Sequence, residues 1–100
     1  MPTKEIELHE EAAGEYDAAF EWYLQRSSDA TRRLDAEVER GLCEIAENPQ
    51  RWAIGSYHTR RFLLRGFPYL LIYREKGENR IQILAIAHTS RNPDYWQHRT

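Results

Sequence analysis

The spacing of apolar positions changes along the chain and divides it into elements. Residues 4–8 alternate as Lys4, Glu5, Ile6, Glu7 and Leu8, the two-residue period of a short strand. After His9 the repeat lengthens: Ala12, Tyr16, Ala19, Phe20 and Tyr23 recur at steps of three and four, one face of a helix that should end near Arg26. Glu10, Glu11 and Glu15 sit near its start, where the backbone dipole favours negative charge. Ser27, Ser28 and Asp29 offer N-caps for a second helix, whose apolar stripe is Leu34, Val38, Leu42 and Ile45 with Gly41 as a spacer. Asn48-Pro49 ends it, because the residue before a proline is pushed out of helical geometry.

The remainder reads as strands. Apolar runs cover Thr59 to Arg65, Tyr69 to Arg74 and Arg80 to His88, separated by Gly66-Phe67-Pro68 and by Gly77-Glu78-Asn79. Such short connections predict an antiparallel meander, with Pro68 at a strand's beginning because it cannot donate to a ladder. Alternation places Phe62 and Leu64 opposite Arg61, Leu63 and Arg65; Tyr69, Leu71 and Tyr73 opposite Leu70, Ile72 and Arg74; and Ile81, Ile83, Ala85 and Ala87 opposite Gln82, Leu84, Ile86 and His88. Pro93 predicts a helical turn carrying Tyr95 and Trp96. The expected fold class is α+β: a β-α-α-β-β-β two-layer fold, with a helical hairpin packed on a mainly antiparallel sheet, spanning residues 1–100 as a single domain. A two-helix layer covers one sheet face, so the other is expected to be partly open, with arginines and tyrosines near it.

Composition narrows the class. The 100 residues are 41% hydrophobic and 30% charged, which suits a globular protein and not a disordered one. Cys43 is the only cysteine, so no internal disulfide can form; with no signal-like leader and no apolar run of membrane length, the expectation is a cytoplasmic protein that engages no membrane. The net charge of −2 hides an asymmetry. Residues 1–50 hold five basic and 13 acidic side chains, whereas residues 51–100 hold nine basic and three acidic. A dipolar surface follows, its basic half suited to an anionic partner; the alternative is an ordinary solvated surface.

Few residues form a chemical signature. His88, Arg91 and Tyr95 gather after the last strand, and such a set suffices for acid–base cleavage of a phosphodiester, although the same residue types are common at surfaces and caps. Arginines beside aromatics on the meander can bind phosphate and stack on bases, or can be ordinary solvent-side residues. His9-Glu10 matches the start of a zinc-protease helix motif, but Ala13 stands where the second histidine is required; His9, His58, His88 and His98 are scattered, so no metal and no cofactor is expected. Cys43 reads as an inert thiol, and Trp22, Trp52 and Trp96 as core or edge packing.

The strings HEEAAGEYDAAFEWY, RRFLLRGFPYLLIYR and ILAIAHTSRNPDYW, in this order, resemble the RelE/ParE superfamily of bacterial type II toxins, which includes plasmid stabilisation proteins. The likeness runs from about Ile6 to Arg99, and is most specific at Phe67-Pro68-Tyr69 and at Ala87-His88…Arg91…Pro93…Tyr95-Trp96. It implies a growth-inhibiting toxin encoded beside an antitoxin, with a βαα-meander fold. RelE-like members cut mRNA in the ribosome with basic sheet residues and a C-terminal tyrosine; ParE-like members poison DNA gyrase. Against the RelE-like pattern, Arg61 and Tyr95 match. The second basic strand position falls on Leu63, the arginine after the middle-strand tyrosine on Leu70, and the one after the last strand on Thr89, with Arg91 nearby.

The resemblance therefore implies a ParE-like inhibitor of DNA gyrase that acts by protein–protein binding and is neutralised by an acidic, partly disordered antitoxin. The expected binding surface is Arg60, Arg61, Arg65, Arg74, His88, Arg91, Tyr95 and Trp96. The alternatives are a ribosome-dependent mRNA endonuclease using Arg61, Arg65, His88, Arg91 and Tyr95, or an inactive relative that keeps only antitoxin binding.

Overall fold

The computed structural model describes residues 4–100. Strand β1 (Glu5–Leu8) leads into helices α1 (Glu10–Leu24) and α2 (Ser28–Glu47), followed by strands β2 (Arg60–Leu63), β3 (Tyr69–Lys76) and β4 (Arg80–His88). The expected order is present, and short 3-10 turns at Pro49–Arg51, Ser56–His58 and Gln97–Arg99 fill the connections and tail. The sheet runs β1-β4-β3-β2: the last three strands form the antiparallel meander, and β1 joins β4 in parallel. No helix among the described residues is long and apolar enough to cross a membrane.

Local chemistry sets the helix ends. The His9 side chain accepts the Glu11 N–H at the start of α1, and Ser27 Oγ accepts the Ala30 N–H at the start of α2. The amides of Arg26 and Ser27 both return to the Tyr23 carbonyl, closing the turn between the helices. The hairpin lays Ala12, Ala19, Leu34, Val38 and Ile45 on one side of the sheet, against Phe62, Leu71, Tyr73, Ile81, Ile83 and Ile86. Helix α2 approaches most closely at Gly41, where an added Cβ would lie 2.8 Å from the Phe62 ring. The buried Tyr73 hydroxyl donates to the Pro49 carbonyl at 2.7 Å, tying the end of α2 to the centre of the sheet.

The opposite sheet face differs from the sequence expectation in two ways. Its centre is not open: the chain after β4 folds back over it and covers it with Trp96, which is fully buried against Ile72, Leu84, Ala85 and Ala87, so that only its β2 edge, at Leu63, remains exposed as expected. Tyr57 meets the Trp96 ring edge-on at 5.9 Å, and its hydroxyl donates to Gln97. A sheet covered on one side only would expose these residues to water, so a tail carrying one large aromatic completes the second layer.

The second difference is a β-bulge. Ile72 pairs with Ala85 and Tyr73 with Ile83, leaving Leu84 as an extra residue on β4. Downstream of it the facing reverses relative to simple alternation. Ile86 joins the helix-side cluster and His88 meets Tyr69, while Ala85 and Ala87 join Leu84 beneath Trp96.

Candidate functional site

Strand β2, the end of β4 and the tail bring most of the expected surface residues to one end of the sheet. Arg61, His88 and Arg91 line one shallow cleft of about 60 Å³ with Leu70, Thr89 and Asn92. Arg61 lies opposite Ile72 in the ladder, on the Trp96 side of the sheet, and its guanidinium is 3.5 Å from Asp94. The Ser90 N–H donates to His88 Nδ1 at 3.1 Å, which leaves the proton of the neutral ring on Nε2. Arg91 stacks on the Tyr95 ring, 3.5 Å from its centre, and reaches Glu15 at 3.3 Å.

The other expected residues are placed elsewhere. Arg60 pairs with Tyr73 in the ladder and so points to the helix side; it donates to the Trp52 carbonyl and lies 3.8 Å from Glu75. Arg74 donates to Gln82 at 2.9 and 3.1 Å, farther along the sheet, and Gln82 donates on to Glu7. Trp96 is enclosed and serves the interior instead of the surface. Arg65 is exposed beyond the end of β2, and its guanidinium makes no ion pair among the described residues; its backbone N–H donates to Glu37. Three arginines of the expected cationic flank, Arg60, Arg61 and Arg91, are thus paired with the chain's own carboxylates, whereas Arg65 and Arg74 make no ion pair among the described residues.

Glu15 organises the tail, and the sequence reading assigned it only to the helix dipole. Its carboxylate accepts from Tyr95 Oη at 2.5 Å, from Arg99 at 2.9 and 3.1 Å, and from the Ile86 N–H at 3.0 Å. Arg99 also donates to the Leu84 carbonyl at 2.9 Å. Strand β1 reaches only as far as Ile83, so Glu15 and Arg99 satisfy polar groups of β4 where a neighbouring strand is missing. Arg99 Nε lies 2.9 Å from Glu11 as an ion contact without hydrogen-bond alignment. A signal for this role was present: Glu15 shares a helix face with the buried Ala12 and Ala19, three residues before it and four after.

The electrostatics oppose base chemistry at Tyr95. Partial burial, and then the hydrogen bond to Glu15, push its phenol well above the ordinary value of 10.0. The phenol donates to a carboxylate and is held neutral. On the same face as Arg61, Leu63 and Leu70 are direct cross-strand partners, and Leu63 is 59% exposed. Two positions where a RelE-like toxin is expected to carry cations therefore form one apolar patch. Among the described residues, no group of three or more His, Cys, Asp or Glu side chains is arranged to hold a metal ion.

A second concavity, about 460 Å³, opens between α1 and the start of β3, lined by Ala18, Ala19, Trp22, Tyr23, Pro68 and Tyr69, with His88, Arg91 and Glu15 at one end. Trp22 is half exposed, with the Arg26 guanidinium stacked 3.8 Å from its ring centre.

Comparison with known proteins agrees with this architecture. A search of curated protein sequences finds no match. Among solved structures, a chain described as a chromosomal ParDE TA system from P. aeruginosa superposes with a TM-score of 0.74 at 18% identity, covering 88% of this chain and 98% of that one. At that identity the likeness concerns the fold. The family described as ParE toxin of type II toxin-antitoxin system, parDE, matches residues 6–93, a span that takes in both helices and nearly the whole sheet. The chain belongs to the ParE toxin family.

Proposed function

We propose that this protein arrests growth as a ParE-like toxin that binds and inhibits DNA gyrase in the cytoplasm without cutting nucleic acid, and that a cognate acidic antitoxin neutralises it. The observation that carries this reading is the Leu63–Leu70 pair beside Arg61. Cleavage of RNA concentrates charge on a phosphorane-like transition state, and each missing donor there costs about 3 kcal/mol of barrier. Two leucines supply none. Tyr95, held neutral by Glu15, supports the same conclusion. A protein–protein contact needs no such constellation, and an exposed leucine between Arg61 and Arg65 suits one.

The meeting of Arg61, His88 and Arg91 in one cleft favours the second reading, ribosome-dependent cleavage of mRNA. The two are separated by adding the purified protein to a gyrase supercoiling assay and, in parallel, to translating ribosomes. Loss of supercoiling with intact message is expected. Message cut in the ribosomal A site with gyrase unaffected would overturn the proposal. Growth that continues on expression of the protein alone would favour an inactive relative that retains only antitoxin binding.

A further inference from the structure

The concavity of about 460 Å³ between α1 and the start of β3 gathers donors that the fold leaves unused. The chain has six tyrosines. Four of them donate their hydroxyls inside the fold: Tyr16 to Asp35, Tyr57 to Gln97, Tyr73 to the Pro49 carbonyl and Tyr95 to Glu15. The hydroxyls of Tyr23 and Tyr69 make no hydrogen bond among the described residues, and both side chains line this concavity. Partial burial, and then the nearby Tyr23 phenol, raise the Tyr69 phenol above its ordinary value, so it keeps its proton at neutral pH.

One end is cationic. His88 Nδ1 is occupied by the Ser90 N–H at 3.1 Å and lies 2.7 Å from the Ser90 hydroxyl, so the free ring N–H is at Nε2, with no partner among the described residues. Arg91 lays its face on Tyr95 and gives one N–H to Glu15, which leaves the rest of its fork open. Glu15 is the one carboxylate in the lining, and it is already filled by Tyr95, the Ile86 N–H and the shielded Arg99. The open side-chain groups therefore call for acceptors or negative charge.

The other end is aromatic. Trp22 is half exposed, the Tyr23 ring meets it edge-on at 4.9 Å, and Arg26 stacks on it while making no ion pair among the described residues. Trp22 and Glu15 lie two helical turns apart on α1, about 10 Å. A single-ring carboxylate is too short to join the indole to Arg91; a base linked through a pentose to a phosphate spans the distance.

We infer that this concavity binds a free nucleoside 5′-monophosphate, with its base on Trp22, its sugar against the Tyr23 and Tyr69 hydroxyls, and its phosphate on Arg91 and His88 Nε2–H. His88 and Arg91 also line the cleft beside Arg61, so the bound phosphate fixes a wall that the two concavities share. The inference concerns a small ligand and does not depend on the gyrase reading.

Isothermal titration of the whole protein with adenosine 5′-monophosphate, adenosine and inorganic phosphate tests it. The nucleotide should bind about tenfold more tightly than adenosine or phosphate alone, a comparison that needs no variant to fold. Trp22→Ala should weaken nucleotide binding about tenfold, and Arg91→Gln should reduce it to the level of adenosine. Tyr69→Phe, which removes only a hydroxyl, should weaken it several-fold. Phosphate binding as tightly as the nucleotide, or folded variants that all bind it unchanged, overturns the inference. A single-stranded DNA oligonucleotide that binds far more tightly than the nucleotide overturns it too, because the surface would then hold a strand. Absence of nucleotide binding, with Trp22→Ala weakening the antitoxin instead, overturns it by assigning the concavity to protein docking.

Discussion

The carboxylate of Glu15 and the guanidinium of Arg99 are 84 residues apart in sequence and 2.9 Å apart in space. Both are mostly shielded, with side-chain exposures of 15% and 6%. The pair joins the first helix to the last turn and also occupies the Ile86 N–H and the Leu84 carbonyl. Removing either partner leaves a shielded charge and an unsatisfied backbone group. Arg99→Ala is expected to cost about 2–3 kcal/mol, roughly 10–20 °C in melting temperature for a domain of this size. Glu15→Ala should cost a similar amount and also loosen Tyr95. A double-mutant cycle by urea denaturation should return a coupling energy of more than about 1 kcal/mol; additive losses would mean that the tail is held by Trp96 alone.

Two glycines predict opposite outcomes for the same substitution. Gly14 lies on the exposed face of α1 with no atom within 4 Å of a built Cβ, so Gly14→Ala should stabilise by about 0.5–1 kcal/mol through reduced backbone entropy of the unfolded chain. At Gly41 the methyl would sit 2.8 Å from Phe62 and 3.0 Å from Leu71. Phe62 is backed by Trp52, ring centres 5.0 Å apart, and has little room to retreat. Gly41→Ala should therefore destabilise by about 1–2 kcal/mol in spite of its better helix propensity. Thermal melts of the two variants side by side would expose an error in the helix–sheet approach.

Acid should weaken the connection between β2 and β3. Hydrogen bonds from Arg40, set against the smaller opposing effect of partial burial, and then the Arg65 amide hold the Glu37 carboxyl below its ordinary value of 4.5. Because the folded carboxyl titrates below the unfolded one, its contribution is fully present above the unfolded value and is lost as pH falls through the folded value. Glu37→Gln should lower stability by about 1–2 kcal/mol at pH 7 and flatten the decline below pH 5. Urea denaturation from pH 7 to pH 3 reads both effects; parallel curves for the two proteins would show that Glu37 carries none of the acid sensitivity.

Charge reversal on the cationic side should act on the antitoxin. Arg65→Glu together with Arg61→Glu places negative charge around the exposed Leu63, and affinity for an acidic antitoxin should fall about tenfold, with a weaker dependence on salt. Calorimetry at low and high ionic strength measures both. Unchanged affinity would remove this end of the sheet from the neutralising interface.

Much of the architecture was legible in the spacing of residues. The α2 stripe of Leu34, Val38 and Ile45 is buried as its period requires, and Asn48-Pro49 ends the helix where the backbone argument places it. The faces of β4 were not legible. Its run from Ile81 to Ala87 is apolar at nearly every position, so the sequence has no period from which an extra residue could be read. The covering role of the tail was not legible either, because a single tryptophan closes the centre of a sheet face, and one aromatic has no periodicity at all. Of the surface residues, the grouping of Arg61, His88 and Arg91 followed from their strand ends. The pairing of the two arginines did not, since Asp94 and Glu15 come from a loop and a distant helix.

The unmatched Leu84 also bears on how related chains should be aligned. Removing that one residue would straighten β4 yet leave Ile83, Ile86 and His88 on the side they now occupy, because it is the surplus position in the ladder. A length change there keeps every downstream side chain pointing the same way, whereas one elsewhere in the strand would turn them all over. Between family members of different length, a gap opposite Leu84 is therefore the placement that preserves both the His88–Arg91 cleft and the seat of Trp96.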